Sequence, residues 1–562
     1  MKTAIVLLFA ALSAQSQPLT PATLRSTAHD FYAWRQTNYP VGASDQGMHA
    51  YDDRLTDYSA KAITERRAYV RALLDRIHAT DAKQWSKDDR LDFILFRAQI
   101  ERTEFGDRVL RVEETNPLTY VNDASNAIFS LLKKEYAPPR TRALAAASRM
   151  EAMPAMLAQA RANLQQPVRL YAQLAIDSAR GIDSLFATAD TLATDLTPAE
   201  KTRLASARTK AAKAFADYAS WLEAGLPKMA EWKAMGEAQY DWYLHHALLL
   251  PLDSKELAML GQTELARYRA LEALLPDPSL ADPDPKRAAS IPADQKAFLR
   301  AYQNRQDEMI RFLREKKLVT LPPDLGPFLI RQLPEAFKPT APGGFMNAPG
   351  LYEKDPSGFY FIPTYNPASR NFYIRAAIED PRPILGHEGI PGHFLQISIS
   401  NHLANEIRRE HGDNVFAEGW ALYTEEMLMR TGLYPPDSAA SGQILRLSRY
   451  RAARIGVDVN LHTGRWTFEQ AVQYFMEAGG LDREAAEGEA AGAAADPTQK
   501  ISYMTGKWQI MRLLGKYRDR QGAAYRLGAF HDQLLSYGTL PLAAIEWLMF
   551  DDASSLDAAT KQ

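Results

Sequence analysis

The sequence predicts a mainly α-helical protein with a small β element, and three observations carry that prediction. Long stretches place apolar residues at helical spacing, helix-start signals recur between them, and only two short runs are aromatic and β-branched in the manner of strands. The chain has 562 residues, enough for a large buried core, and its 46% hydrophobic and 24% charged residues are ordinary for a globular protein.

The first element is "MKTAIVLLFAALSAQSQ". Lys2 precedes an apolar run from Ala4 to Ala14, and small residues follow at Ser13, Ala14 and Ser16. This is the pattern of a secretory signal peptide, too short for a membrane span, with cleavage expected after Ser13 or Ser16. There is no cysteine, so neither a lipid-bearing cysteine nor a disulfide is expected. No other apolar run reaches about 18 residues. The mature protein is therefore expected to be periplasmic or secreted, with no membrane association after cleavage. A net charge of −2, from 66 basic and 68 acidic residues, offers no attraction to nucleic acid.

Residues 59–80, 87–106, 140–164 and 197–226 then read as helices. Thr197 with Pro198 and Glu200, and Asp253 with Glu256, are helix starts of the capping-box type. Five prolines in 275–294 predict loop, and 321–350 is a second broken region. Within it "GGFMNAPG" (343–350) lacks the lysine and spacing of a phosphate loop and reads as a flexible loop. "FYFIPTY" (359–365) and "RNFYIRAA" (370–377) read as short strands. From Pro383 the pattern is helical to about Phe550, including the low-complexity run 482–499 as a helix with a flexible end.

One stretch carries chemistry. "GHEGIPGHFLQ" (386–396) contains His387, Glu388 and His393. In H-E-x-x-H the two histidines are four apart and share a helix face, so they reach one metal with the glutamate beside them as base. Here they are six apart, and a regular helix would point them about 120° away from each other. Pro391, however, has no N–H for the His387 carbonyl and its ring clashes there, while Gly392 adopts backbone shapes other residues avoid. A bulge at this pair that absorbs two residues would return His393 to the side of His387. Twenty-five residues beyond His393, "FAEGWALYTEE" (416–426) offers Glu418 as a third ligand from a second helix, leaving a fourth position for water. Glu425 and Glu426 read as helix-face charges, with Glu425 also a candidate partner for a histidine N–H.

These two segments together resemble the paired signatures of the bacterial family called domain of unknown function 885, grouped by resemblance with the gluzincin type of zincin metallopeptidases. Weaker matches at 40–59, 235–265, 454–475 and 496–513 extend the resemblance over most of the mature chain. "AEGWALYTE" is also similar to the "NEGFA" segment of aminopeptidase N relatives, in which the glutamate before glycine binds zinc; Glu418 matches it. Dipeptidyl peptidase III, with H-E-x-x-G-H, is similar in having a lengthened motif. The resemblance implies a large zincin-like helical fold with a deep cleft and a small β element beside the active site, like carboxypeptidase Taq and angiotensin-converting enzyme. It also implies one Zn2+ per chain, although similar ligands accept cobalt or manganese.

The reading is an exported zinc peptidase acting on short peptides, a carboxypeptidase or dipeptidase among the options. The expected division is a signal peptide (1–16), an N-terminal helical region (17–340) and a catalytic zinc-binding helical region with short strands (341–562). His387, His393 and Glu418 would hold the metal, Glu388 would be the general base, and Tyr503 and His462 are candidate oxyanion donors. Arg454, Asp458 and His462 share a helix face, where Asp458 either orients His462 or belongs to a surface salt-bridge ladder. The strand expected at 370–377 would offer its edge to substrate at Phe372, Tyr373 and Arg375. For a terminal carboxylate, Arg446, Arg449, Arg451, Arg454 and Lys507 are available, and Arg454 is carried forward as a substrate contact. The alternatives are a metal-dependent amidase or esterase, and a non-catalytic binding protein or scaffold on the same frame.

Overall fold

In the computed structural model, residues 17–288, 292–333 and 344–560 are described; the expected signal peptide lies outside them. The architecture is mainly α with one three-stranded sheet. Among the described residues, no helix is long and apolar enough to cross a membrane.

Contacts divide the chain into two compact units. One comprises residues up to Trp232 together with Gly350–Lys354; the other comprises Lys233–Pro349 and Asp355 onward. The contacts thus part near residue 232, not at the composition break near 340, because the helix Gln295–Glu315 packs on the strand Phe328–Gln332 and on the helix Arg382–Glu388.

The first unit is built of antiparallel helices. Pro198–Gly225 starts with the anticipated box, in which the Thr197 hydroxyl accepts from Glu200 N and the Glu200 carboxylate accepts from Thr197 N. Pro139–Asn163 and Arg169–Thr188 pack along it. The guanidinium of Arg149 is wholly buried and donates to Ala127 O, Ser130 Oγ, Ser44 Oγ, Arg54 O and Tyr51 O. A charge so buried is tolerable because its donors are matched.

The second unit carries the sheet, in the order β1 (Phe328–Gln332), β3 (Gly358–Ile362), β2 (Phe345–Asn347). β1 runs parallel to β3 with Phe328 opposite Gly358, and β2 runs antiparallel with Phe345 opposite Phe361. The β3 prediction from "FYFIPTY" holds, and its residues are buried throughout. The stretch expected as a loop at 343–350 supplies β2. The other expected strand is corrected: Phe372–Glu379 is a helix. The Asn371 carboxamide accepts from Tyr373 N and Ile374 N, a helix cap that outweighs the aromatic, β-branched composition. Phe372, Tyr373 and Arg375 therefore offer no strand edge. The low-complexity run does form a helix, Arg483–Ala495.

Two helix pairs dominate the unit: Ser254–Ala273 against Ala439–His462, and Asn414–Arg430 against Ser502–Gln521. The second pair crosses at glycines. A Cβ on Gly506 would lie 1.9 Å from Val415 O, and one on Gly419 would lie 2.4 Å from Gly506 Cα. Gly506→Ala is expected to destabilise the protein by about 2–3 kcal/mol. Gly488→Ala, in an exposed helical position with open space around it, should leave the midpoint unchanged or raise it. Thermal denaturation of the two variants side by side checks this, and a Gly506→Ala midpoint equal to wild type would contradict the close crossing.

Candidate metal centre

The chain does not bulge at the Pro-Gly pair; it breaks. The helix Arg382–Glu388 stops at Gly389, and a new helix, His393–Ser400, starts directly at His393. Between them lies a tight turn with a cis Ile390–Pro391 peptide bond. Gly392 is obligatory: a Cβ there would sit 1.9 Å from the His387 carbonyl oxygen.

A break leaves buried carbonyls without helical partners, and these need donors. Trp420 Nε1 donates to Pro391 O at 2.9 Å, Thr424 Oγ1 to Gly386 O at 2.9 Å, and Gln306 Nε2 to Ile390 O at 3.2 Å. Trp420 and Thr424 lie on Asn414–Arg430, the helix that also carries Glu418 and Glu425. Phe394 packs its ring against Gly358 and stands 5.0 Å from Phe328, so the sheet backs the second histidine's helix. Sequence reading did not find the bracing role of Gln306, Trp420 and Thr424. The signal was present in principle, since a break at Pro391 predicts orphaned carbonyls and "GWALYTEE" carries two donors a turn apart.

The result brings together the three predicted ligands. Candidate ligand atoms of His387, His393 and Glu418 lie within 4.8 Å of one another. Glu418 Oε2 is 3.5 Å from His387 Nε2 and 3.4 Å from His393 Nε2. It is buried and makes no hydrogen bond. A tetrahedral ion with nitrogen and oxygen ligands at about 2.0–2.1 Å spaces them roughly 3.3 Å apart. The orphaned carboxylate oxygen and the observed spacing fit a divalent ion of the zinc type.

His387 Nδ1 is 2.8 Å from Glu425 Oε1. Burial opposes charge on Glu425, but Arg451 and His387 together hold its pKa below the usual carboxylate value. As a carboxylate it can only accept, so Nδ1 carries the hydrogen and Nε2 is free for the metal. Burial pushes His387 down, yet the nearby carboxylates of Glu418 and Glu425 prevail and lift it to about 9. Glu418 is driven well below the carboxylate range by the two imidazoles, against the cost of burial.

The other predicted residues are placed as follows. Glu388 is half-buried and makes no hydrogen bond among the described residues. The Tyr503 ring lies nearly parallel to the His387 ring at 6.3 Å, and its hydroxyl accepts from Gln499 Nε2 at 3.0 Å. Burial, then the nearby charge of Glu418, raises its pKa, so it keeps its proton. His462 is seated elsewhere: its ring stacks on Tyr240, and Nε2 lies 2.9 Å from Ala493 O. Asp458 is engaged by Tyr240 OH, Thr498 N and Lys500 N, and so fixes the segment before Tyr503. With Arg454, Asp458 and His462 all buried, the expected surface ladder is corrected to an internal brace. Phe372 lies under the Arg446 guanidinium, Tyr373 is half-buried, and the Arg375 side chain makes no hydrogen bond among the described residues. Arg454 is paired with Glu489 and Tyr450.

Two outcomes are expected from this geometry. Elemental analysis should find about one zinc per wild-type chain and none in His393→Ala; zinc retained by the variant would remove His393 from the ligand set. The metal must also displace the His387 proton. Below pH 9 the apparent affinity should therefore fall about tenfold per pH unit, measurable by competition with a chromophoric chelator, whereas a flat profile from pH 9 to 6 would contradict the assignment. Glu425→Gln should weaken zinc binding about 10–100-fold in the same assay.

No functionally curated protein matches the chain. Solved structures share its fold, two of them as follows. One, described as a "putative lipoprotein of unknown function" from Shewanella oneidensis, has a TM-score of 0.73 and 23% identity, covering 94% of this chain and 100% of that one. The other, a "putative lipoprotein" from Colwellia psychrerythraea, has a TM-score of 0.71 and 19% identity over 93% and 96% of the two chains. At such identities both speak to the fold alone. The sequence profile described as "Bacterial protein of unknown function (DUF885)" matches residues 40–549, and by that match over most of its length the chain belongs to the DUF885 family.

Proposed function

We propose that this protein is an exported zinc peptidase that hydrolyses short peptides. The observation that carries the reading is Glu418 Oε2: a buried carboxylate oxygen without a hydrogen bond, facing two imidazole Nε2 atoms, next to the half-buried carboxylate of Glu388. Two histidines from one segment and a glutamate from the following helix is the gluzincin ligand arrangement that the resemblance implies. Export is supported by the signal-like N-terminus and by the names of the two structural neighbours.

Zinc held by His387, His393 and Glu418 would lower the pKa of a water toward about 7 and polarise a carbonyl. The protein's own groups do the rest. Glu388 adjoins a ligand without being one, and its uncommitted carboxylate accepts a proton from the attacking water and delivers it to the leaving amine. Tyr503, kept protonated, donates to the oxyanion that develops on the former carbonyl. Glu425 holds the His387 ring in the tautomer that leaves Nε2 free.

Glu388→Gln should lower kcat by about 10³-fold with zinc content unchanged. Tyr503→Phe should cost about 10²-fold in kcat with little change in KM. Steady-state kinetics on a short-peptide panel, paired with elemental analysis, test both. A Glu388→Gln enzyme of wild-type rate would remove Glu388 from the mechanism. Turnover confined to non-peptide amides or esters would move the assignment to a metal-dependent amidase or esterase.

A further inference from the structure

The helix Ala439–His462 carries four of the five cations available to a substrate carboxylate, and the structure accounts for them unequally. Arg446 pairs with Asp282, and Arg449 with Glu272 and Ala478 O. Lys507 is bound to Glu426 and Tyr268. Arg454 Nη2 meets Tyr450 and Glu489, although its Nε has no partner. Arg451 stands apart. It is 5% exposed, its Nε and Nη1 make no hydrogen bond, and its ion-pair partner among the described residues is Glu425, 3.6 Å from Nη2. Glu425 is itself already bonded to His387.

Buried guanidinium donors left unmatched lose their hydration without recovering it in the fold. Arg149 in the first unit shows the same chain satisfying every donor of a buried arginine. At Arg451 and Arg454 it leaves three unmatched. Glu489 is shared by Arg454 and Lys500, and Glu425 by Arg451 and His387. An anion entering here would meet the unmatched donors.

The position identifies the anion. The guanidinium carbons of Arg451 and Arg454 lie 5.5 and 4.9 Å from the centroid of the Tyr503 ring, and that ring is 6.3 Å from the His387 ring. Those distances bound how far the guanidiniums stand from the metal ligands. A peptide advances about 3.5 Å per residue, so an anion held here sits within about three residues of a carbonyl at the metal. Tyr373, close enough to interact with both guanidiniums, is half-buried and makes no side-chain hydrogen bond among the described residues, and Tyr503 is half-buried too, so the cluster opens on that side.

We propose that Arg451, helped by Arg454 Nε and the Tyr373 hydroxyl, binds the α-carboxylate of a short peptide, which makes the substrate class peptides with a free C-terminus cut within about three residues of it. This rests on the peptidase reading above.

The test is a binding measurement on the zinc-loaded Glu388→Gln protein. Calorimetric titration compares N-acetyl-Ala-Ala with its C-terminal amide. The acid should bind at least about 30-fold tighter, as loss of charge-assisted hydrogen bonds predicts. Adding Arg451→Ala should bring the ratio near one with zinc content unchanged, and Arg451→Lys, which keeps the charge opposite Glu425, should retain part of it. Equal or undetectable binding of acid and amide, or a preference that survives Arg451→Ala, overturns the proposal. The two readings separate cleanly. If Glu388-intact enzyme hydrolyses acid and amide alike, the carboxylate site fails and the peptidase stands. If the acid preference is present but nothing is hydrolysed, the site stands and the catalytic reading fails.

Discussion

The centre depends on one backbone event, the interruption of the helix between Glu388 and His393. Without it the two histidines point apart. With it, at least three buried carbonyls lose their helical partners, each at a cost comparable to a lost hydrogen bond. Trp420 and Thr424 supply two of the replacement donors, and they sit on the helix that contributes Glu418. The third candidate ligand and the brace of the break are therefore one element. The break cannot relax into a continuous helix without also freeing the indole and hydroxyl that pin the Glu418 helix in place.

Electrostatics continues the same chain of dependence. Glu418 and Glu425 lie two turns apart on one helix face and approach His387 from its two ring nitrogens. Buried carboxylates at such spacing would repel each other, and the imidazole between them, with Arg451 behind Glu425, offsets this. Glu426, one position on, points to the opposite side and is neutralised by Lys507. Adjacent glutamates in "YTEE" thus serve different networks: Glu425 is the histidine partner that the sequence offered, whereas Glu426 is a buried ion-pair member and not a helix-face charge.

Much of this was legible in the sequence. The grouping of the three candidate ligands follows from residue type and from the Pro-Gly pair, because proline's missing donor and clash are local facts. The long helices follow from apolar spacing, and their starts from boxes such as Thr197–Glu200. What was not legible depends on tertiary context. "RNFYIRAA" has strand composition, but Asn371 in position to cap, and burial of Ala377 and Ile378 on one side, make it a helix. The β2 segment has too few residues to show alternation. His462 looked chemical because a buried histidine and a catalytic one share the same letter; only its partners, Tyr240 and Ala493 O, distinguish them. Arg451 could not be chosen from five cations by sequence, since what sets it apart is two buried donors without hydrogen bonds, and that is a property of packing.

The relation between Glu418 and Tyr503 is fixed by something still more elementary. Each lies within three residues of a glycine, Gly419 and Gly506, and these two glycines form the crossing of their helices. At that point backbone meets backbone, and no rotamer intervenes. A larger residue at either position would separate the helices by roughly the thickness of a methyl group, and the displacement would pass undamped to the carboxylate on one helix and the phenol on the other. A site whose ligand and neighbouring hydroxyl must hold to within about 0.5 Å gains from a contact without adjustable parts. On this argument the glycines of "AEGWALY" and "YMTGKW" are structural determinants of the chemistry, although neither touches a metal or a substrate.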